Sequence, residues 1–137
     1  MPVDKCPRGG CAGQIQSMGS VIGRAGEDLA VRHLEALGWV IVERNWRCEQ
    51  GELDVIALAP RPPGPPVAVV VEVKTRSGTG FGEPLEAITQ AKVRRLRGLA
   101  VRWRQDHPGL GAGLRVDAIG ILKAPGTAPR LTHVKGL

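Results

Sequence analysis

The stretch from Val67 to Lys74, Val-Ala-Val-Val-Val-Glu-Val-Lys, constrains this chain more than any other. It is apolar and largely β-branched until it ends in two charges two positions apart, and side chains two apart on a strand share a face. Glu72 and Lys74 therefore project together from the end of a strand otherwise built for burial. A second strand precedes it, Gly51-Glu52-Leu53-Asp54-Val55-Ile56-Ala57-Leu58, and the Pro/Gly-rich segment Pro60 to Pro66 turns the chain back between them. A hairpin centred on Pro63 sets Asp54 opposite Glu72, Ile56 opposite Val70 and Leu58 opposite Ala68. Two carboxylates and an ammonium then meet at one end of a sheet, an arrangement able to hold a divalent cation and activate a water.

Size and composition narrow the setting. With 137 residues the chain is sized for one domain whose core needs no disulfides. No apolar run approaches the ~18 residues that read as a membrane span. The start, with Lys5, Arg8 and several glycines, lacks the apolar segment of a signal peptide. The expected location is the cytoplasm, with no membrane partner. The three cysteines suit a reducing compartment. Cys6 and Cys11 have no second Cys/His pair nearby, which gives a zinc site little support. A formal charge of +6 points to a polyanionic partner.

Residues 1–19 read as a flexible Gly-rich leader and 20–137 as the folded domain. From Ser20 to Leu37 the spacing predicts a helix, with Ile22, Gly26, Leu29, Ala30, His33, Leu34 and Leu37 on one arc and Gly38 just past its end. His33 reads as a packed or boundary residue. Glu27 lies at the edge of the apolar arc, where it either looks sideways along the sheet or hydrates as a boundary residue; helical geometry does not choose. Trp39 to Val42 reads as a short strand, followed by the polar Glu43-Arg44-Asn45 and then Trp46-Arg47-Cys48. The hairpin strands run roughly over 52–58 and 67–74. Thr75 to Pro84 is a Gly-rich loop without the Gly-Lys-Ser/Thr ending of a phosphate loop.

A second helix is expected from Pro84 or Thr89 to Gln105, stopped by Pro108, with strands near Leu114–Leu122 and Arg130–Val134. The order is α-β-β-β-α-β with one further strand: an α/β chain whose mixed central sheet is flanked by helices. On the second helix Val93, Leu96, Leu99, Ala100 and Trp103 share an arc, and Arg94, Arg95, Arg97, Arg102 and Arg104 lie outside it. That arginine face suits a phosphate backbone or is simply solvated. Lys92 falls inside the apolar arc at the helix start, where it either reaches the carboxylates or snorkels.

Taken together, Gly23-Arg24-Ala25-Gly26-Glu27, Asn45-Trp46-Arg47, Gly51-Glu52-Leu53-Asp54-Val55-Ile56, Val71-Glu72-Val73-Lys74-Thr75-Arg76 and Arg115-Val116-Asp117 closely resemble the bacterial YraN family, also catalogued as UPF0102. The resemblance covers roughly Val21 to Val134. It implies a restriction-endonuclease-like fold of the PD-(D/E)XK superfamily, distantly similar to archaeal Holliday-junction resolvases. Carried over by motif, it makes Asp54, Glu72, Lys74 and Glu27 the catalytic set. Asp54, Glu72, the Val73 carbonyl and Glu27 are then the expected ligands of magnesium or manganese. Leu53 stands where the superfamily pattern has proline. Glu52 is either a further ligand or a partner of Arg47 or Arg76, Asp117 reads as a structural anchor, and Gln90 with Lys92 lines the site.

The implied activity is metal-dependent hydrolysis of phosphodiester bonds, with DNA, branched or otherwise structured, as the expected polymer. Lys92, Arg94, Arg95 and Arg102 are the expected nucleic-acid contacts. The competing reading is a non-catalytic nucleic-acid-binding module, or an adaptor in DNA repair or uptake, that keeps the fold. Resolvase-like relatives act as dimers, so a homodimer is allowed, with Trp46 a candidate contact if exposed.

Overall fold

The computed structural model describes residues 18–77 and 83–137. Helix α1 (Met18–Ala36) leads into strands β1 (Val40–Cys48), β2 (Gly51–Arg61) and β3 (Gly64–Arg76). A 3₁₀ turn (Pro84–Ala87), helix α2 (Gln90–Asp106) and strands β4 (Ala112–Leu122) and β5 (Arg130–Val134) follow. The five strands form one sheet in the order β1-β2-β3-β4-β5. All neighbours are antiparallel except β3 and β4, which run parallel because α2 carries the chain across between them. This is the mixed α/β sheet with flanking helices that the element order predicts.

The two helices cover opposite faces. Ala30 and Leu34 of α1 pack with Val55, Ala57, Val69, Val71, Ile119 and Ile121, while Leu96, Leu99, Ala100 and Trp103 of α2 pack with Ile56, Ala68, Val70 and Val116. Alternate residues of β2 and β3 thus feed two separate cores, which is why the β3 run is apolar on both faces until Glu72. Trp103 is fully buried, and truncating such a side chain costs about 3–5 kcal/mol. The apolar arc expected on α2 is the arc that packs.

Local chemistry sets the helix ends. The Thr89 side chain accepts from the Lys92 N–H, fixing the start of α2 at Gln90. Pro84 belongs to the separate 3₁₀ turn. Gly38 adopts φ +87° and lets the chain leave α1 toward Trp39.

The structure departs from the sequence reading in three places. Strand β1 is continuous to Cys48, with an irregularity between Ile41 and Glu43, so the polar Glu43-Arg44-Asn45 belongs to the strand. Its place at the sheet edge, with Arg44 held by α1, makes those polar residues tolerable. The hairpin strands are also longer than expected. Arg61 pairs with Gly64, so Pro62 and Pro63 alone form the loop and the reversal is tighter than the Pro/Gly-rich run suggested. Helix α1 is already running at Met18. The leader cysteines and the Gly-rich segment 78–82 lie outside the described residues. Among the described residues, no helix is long and apolar enough to cross a membrane.

Candidate active site

Strand pairing builds the site. Ile56 pairs with Val70 and Leu58 with Ala68, the register expected from the hairpin, and its continuation carries Asp54 to Glu72. The Val73 N–H donates to Asp54 Oδ2 at 2.9 Å. The backbone of one catalytic candidate's neighbour thus orients the other candidate's carboxyl.

Asp54 also marks a break in strand β2. Leu53 packs in the α2-side core and Val55 in the α1-side core, although residues two apart on a regular strand share a face. On the facing strand, pairing skips from Arg44↔Val55 to Trp46↔Leu53. Asn45, between them, has φ 57°, a left-handed conformation that asparagine tolerates better than most residues. Asp54, half-buried, lies where the two core faces exchange along β2 and lines the cleft at the sheet end.

Glu27 reaches the same place from α1. The helix approaches β3 closely because Gly26 has no side chain: a Cβ there would stand 2.0 Å from Thr75 Oγ1. Arg44 Nη2 lies 3.6 Å from Glu27 Oε1 and 2.7 Å from Asp28 Oδ1, clamping the helix to β1. From α2, Lys92 Nζ lies 3.4 Å from Glu72 Oε2. The inward lysine expected from the helical pattern therefore does reach the carboxylates.

These groups line one cleft of about 610 Å³: Glu27, Asp54, Glu72, Val73, Lys74 and Lys92 all face it, with Gly23, Glu52, Thr75, Arg76 and Ser77. Its electrostatics follow from the crowding. Burial, then the neighbouring Glu72 carboxylate, push the Asp54 carboxyl up to about 8, against the opposing pull of the Val73 N–H. Burial also raises Glu27, while Asn45 and Arg44 hold it down. Glu52 pairs with Arg47 at 3.3 Å, one of the alternatives open from the sequence.

The donor set suits a hard cation that keeps most of its own water. Among the described residues, no group of three or more His, Cys, Asp or Glu side chains is gathered to hold a metal ion, so they form no closed cage. Magnesium commonly uses one or two carboxylates with waters and substrate phosphate. Asp54, Glu72 and the Val73 carbonyl fit that pattern, and a cation would relieve the repulsion that raises Asp54.

The arginine face divides. Arg95 donates to the Gln50 carbonyl at 3.0 Å, and Arg102 donates to Gln50 Oε1 at 3.1 Å and to Glu49 Oε1 at 3.3 Å. Arg97 and Arg104 donate to backbone carbonyls of Leu137 and Gly113 respectively. Arg94 is exposed. Periodicity shows which residues leave the core face, but not that arginines there cap the ends of other elements. Trp46 is 2% exposed, which removes it as a dimer contact.

Asp117 anchors structure, as expected. It is fully buried and accepts from Arg115 Nε at 2.8 Å and Nη2 at 3.0 Å, from His133 Nε2 at 2.9 Å and from the Gly136 N–H at 3.0 Å. Burial alone would raise its carboxyl, but these bonds outweigh it and hold the group below the usual range. His33 Nε2 meets His133 Nδ1 at 3.1 Å, so His33 is packed into this network. The role of Arg44 and Asn45 in positioning Glu27 does not follow from their place in the sequence. Their signal was weak: a polar triplet that looks like a connection.

The model of the Uncharacterised protein family UPF0102 matches residues 26–121, a span that contains Glu27, Asp54, Glu72, Lys74 and Lys92. The chain belongs to the UPF0102 family. A UPF0102 protein of Mycobacterium sp. (strain KMS) is 48% identical over 118 residues, covering 86% of this chain and 85% of the relative. One from Clavibacter michiganensis subsp. michiganensis is 45% identical over 114 residues, 83% of this chain and 92% of the relative. One from Acidothermus cellulolyticus is 42% identical over 125 residues, 84% and 91% respectively. The span matched by the family model thus takes in helices packed on both faces of the sheet and every acidic residue and lysine that lines the cleft.

Proposed function

We propose that this protein is a magnesium- or manganese-dependent nuclease that hydrolyses phosphodiester bonds, with DNA as its polymer. The observation that carries the reading is the apposition of Asp54 and Glu72 in an open cleft that Lys74 also lines. A protein that only packed this corner would have no use for two carboxylates so close that one is driven to hold its proton. The αβββαβ order and the Asp54, Glu72-x-Lys74 spacing are those of the PD-(D/E)XK nucleases that the sequence resembles, which supports the same assignment. A cytoplasmic setting suits such an enzyme.

Asp54, Glu72, the Val73 carbonyl and Glu27 would hold the cation. When bound, it would polarise the scissile phosphate and make a bound water more acidic. The chain's own groups do the rest. The Val73 N–H keeps the Asp54 carboxylate oriented. Arg44 and Asn45 keep Glu27 at the cleft wall. Lys74 orients the attacking water and offsets negative charge that builds on the phosphate oxygens as the new P–O bond forms and the ester P–O bond breaks.

Cleavage of linear, flap, single-stranded and four-way-junction DNA with magnesium or manganese tests the reading, beside calorimetric titration of the same ions. The expected result is cleavage of at least one substrate and cation binding, both lost in Asp54→Ala. Absence of cation binding at millimolar concentration would overturn the enzyme reading in favour of a binding module.

A further inference from the structure

Lys92 occupies an unusual position for a surface lysine. Its ammonium sits 3.4 Å from Glu72 Oε2, and the two side chains differ sharply in exposure, 34% for Lys92 and 7% for Glu72. Glu72 is thus a buried carboxylate whose charge is met from the solvent side by a long, flexible stem. The base of that stem is fixed, because the Lys92 N–H is bound by Thr89 Oγ1 at the start of α2. The head is the mobile part.

A divalent cation on Glu72 and a lysine ammonium on Glu72 compete for one charge. Two positive groups a few ångströms apart in a partly desolvated cleft repel strongly. A cation that engages Glu72 therefore displaces Lys92, whose ammonium is then left in the same open cleft. We propose that Lys92 is an exchangeable counter-ion: it neutralises Glu72 in the cation-free protein and, once displaced by the cation, turns to a phosphate of the substrate. This rests on the nuclease reading of the cleft and adds to it a coupling between cation occupancy and polymer binding.

Loss of an exchangeable Lys92 has two effects of opposite sign, which loss of a merely structural ion pair would not produce. Titration of manganese into the full chain without DNA should show Lys92→Gln binding the ion roughly three- to tenfold more tightly than wild type, because a competing charge is gone. Binding of a labelled DNA duplex should weaken in Lys92→Gln more strongly when calcium is present than in chelator, because only the displaced ammonium meets phosphate directly. Lys92→Arg, which keeps the charge, should hold both values near wild type and guards against a folding defect in the neutral variant. Unchanged or weaker manganese binding by a folded Lys92→Gln would overturn the counter-ion role while leaving the nuclease reading intact. Equal loss of duplex affinity with calcium and with chelator would also overturn it, since Lys92 would then be a fixed contact. A wild type that binds no manganese would overturn both readings at once.

Discussion

Gly26 faces Thr75 so closely that a Cβ on the glycine would stand 2.0 Å from the threonine hydroxyl oxygen. This contact seats α1 against β3 one residue before Glu27, so helix docking and site geometry are the same event. Gly26→Ala should raise intrinsic helix propensity by up to ~1 kcal/mol yet destabilise the fold by about 1–3 kcal/mol through overpacking. Thr75→Ala in the same chain should recover most of the loss. Urea midpoints of the four chains in this cycle measure the coupling, and simple additivity would show that the contact does not hold the helix.

The metal-free protein should lose stability as pH rises. The Asp54 carboxyl is raised from 3.8 to about 8 by burial and by Glu72. The folded state therefore binds a proton that the unfolded state has released. That contribution is fully present below the unfolded value and is lost as pH rises through about 8. Its size is on the order of a few kcal/mol. Asp54→Asn should flatten the dependence between pH 5 and pH 9 (about this range brackets the titration) and leave the metal-free fold as stable or more so. A wild-type stability that does not fall between about pH 5 and about pH 8 would contradict the crowding of the two carboxylates.

Lys74 and the carboxylates should separate by readout. Asp54→Asn and Glu72→Gln should lose cation binding and cleavage together. Lys74→Ala should keep cation binding and lose roughly a hundredfold or more in cleavage rate, in line with removal of a charge-stabilising group. Calorimetry paired with single-turnover cleavage distinguishes the two patterns.

Asp117 should matter for stability and not for the cleft. Asp117→Asn breaks a buried group held by Arg115, His133 and the Gly136 N–H, at a cost of about 3–5 kcal/mol. The wild-type group contributes stability above its ordinary value of 3.8 and loses it as pH falls through its lowered folded value. Thermal unfolding should therefore show a large shift while manganese affinity stays at the wild-type value.

The arginines of α2 should divide as their contacts do. Arg102→Gln should loosen the turn at Glu49 and Gln50 and cost up to ~1 kcal/mol. Arg94→Gln should leave the denaturation midpoint unchanged and, if the exposed face meets phosphate, lower the salt slope of duplex binding by about one. A change in stability without a change in slope for Arg94→Gln would place the polymer elsewhere.

Much of the framework was legible in the residues because short-range periodicity carries it. Period-2 alternation and turn chemistry were enough to bring Asp54 across from Glu72, since a hairpin is a local structure with few registers that bury the right face. The apolar arc of α2 was readable for the same reason, and it delivered Lys92 to the site. Other features depended on contacts between elements far apart in sequence. Arg44 is polar in a strand, and only the docked α1, with Glu27 and Asp28, makes it a clamp. Trp46 looked free for a partner until α2 closed over it. That Arg95 and Arg102 also hold the β1–β2 turn through Gln50 follows only from the packing of α2 beside it. Sequence by itself determined which side chains share a helix face and, away from the switch between Leu53 and Val55, a strand face, because backbone geometry repeats every few residues. Tertiary structure alone decided which of those side chains are already engaged and which carboxyl is driven to keep its proton, because charge, burial and hydrogen bonding act through space and not along the chain.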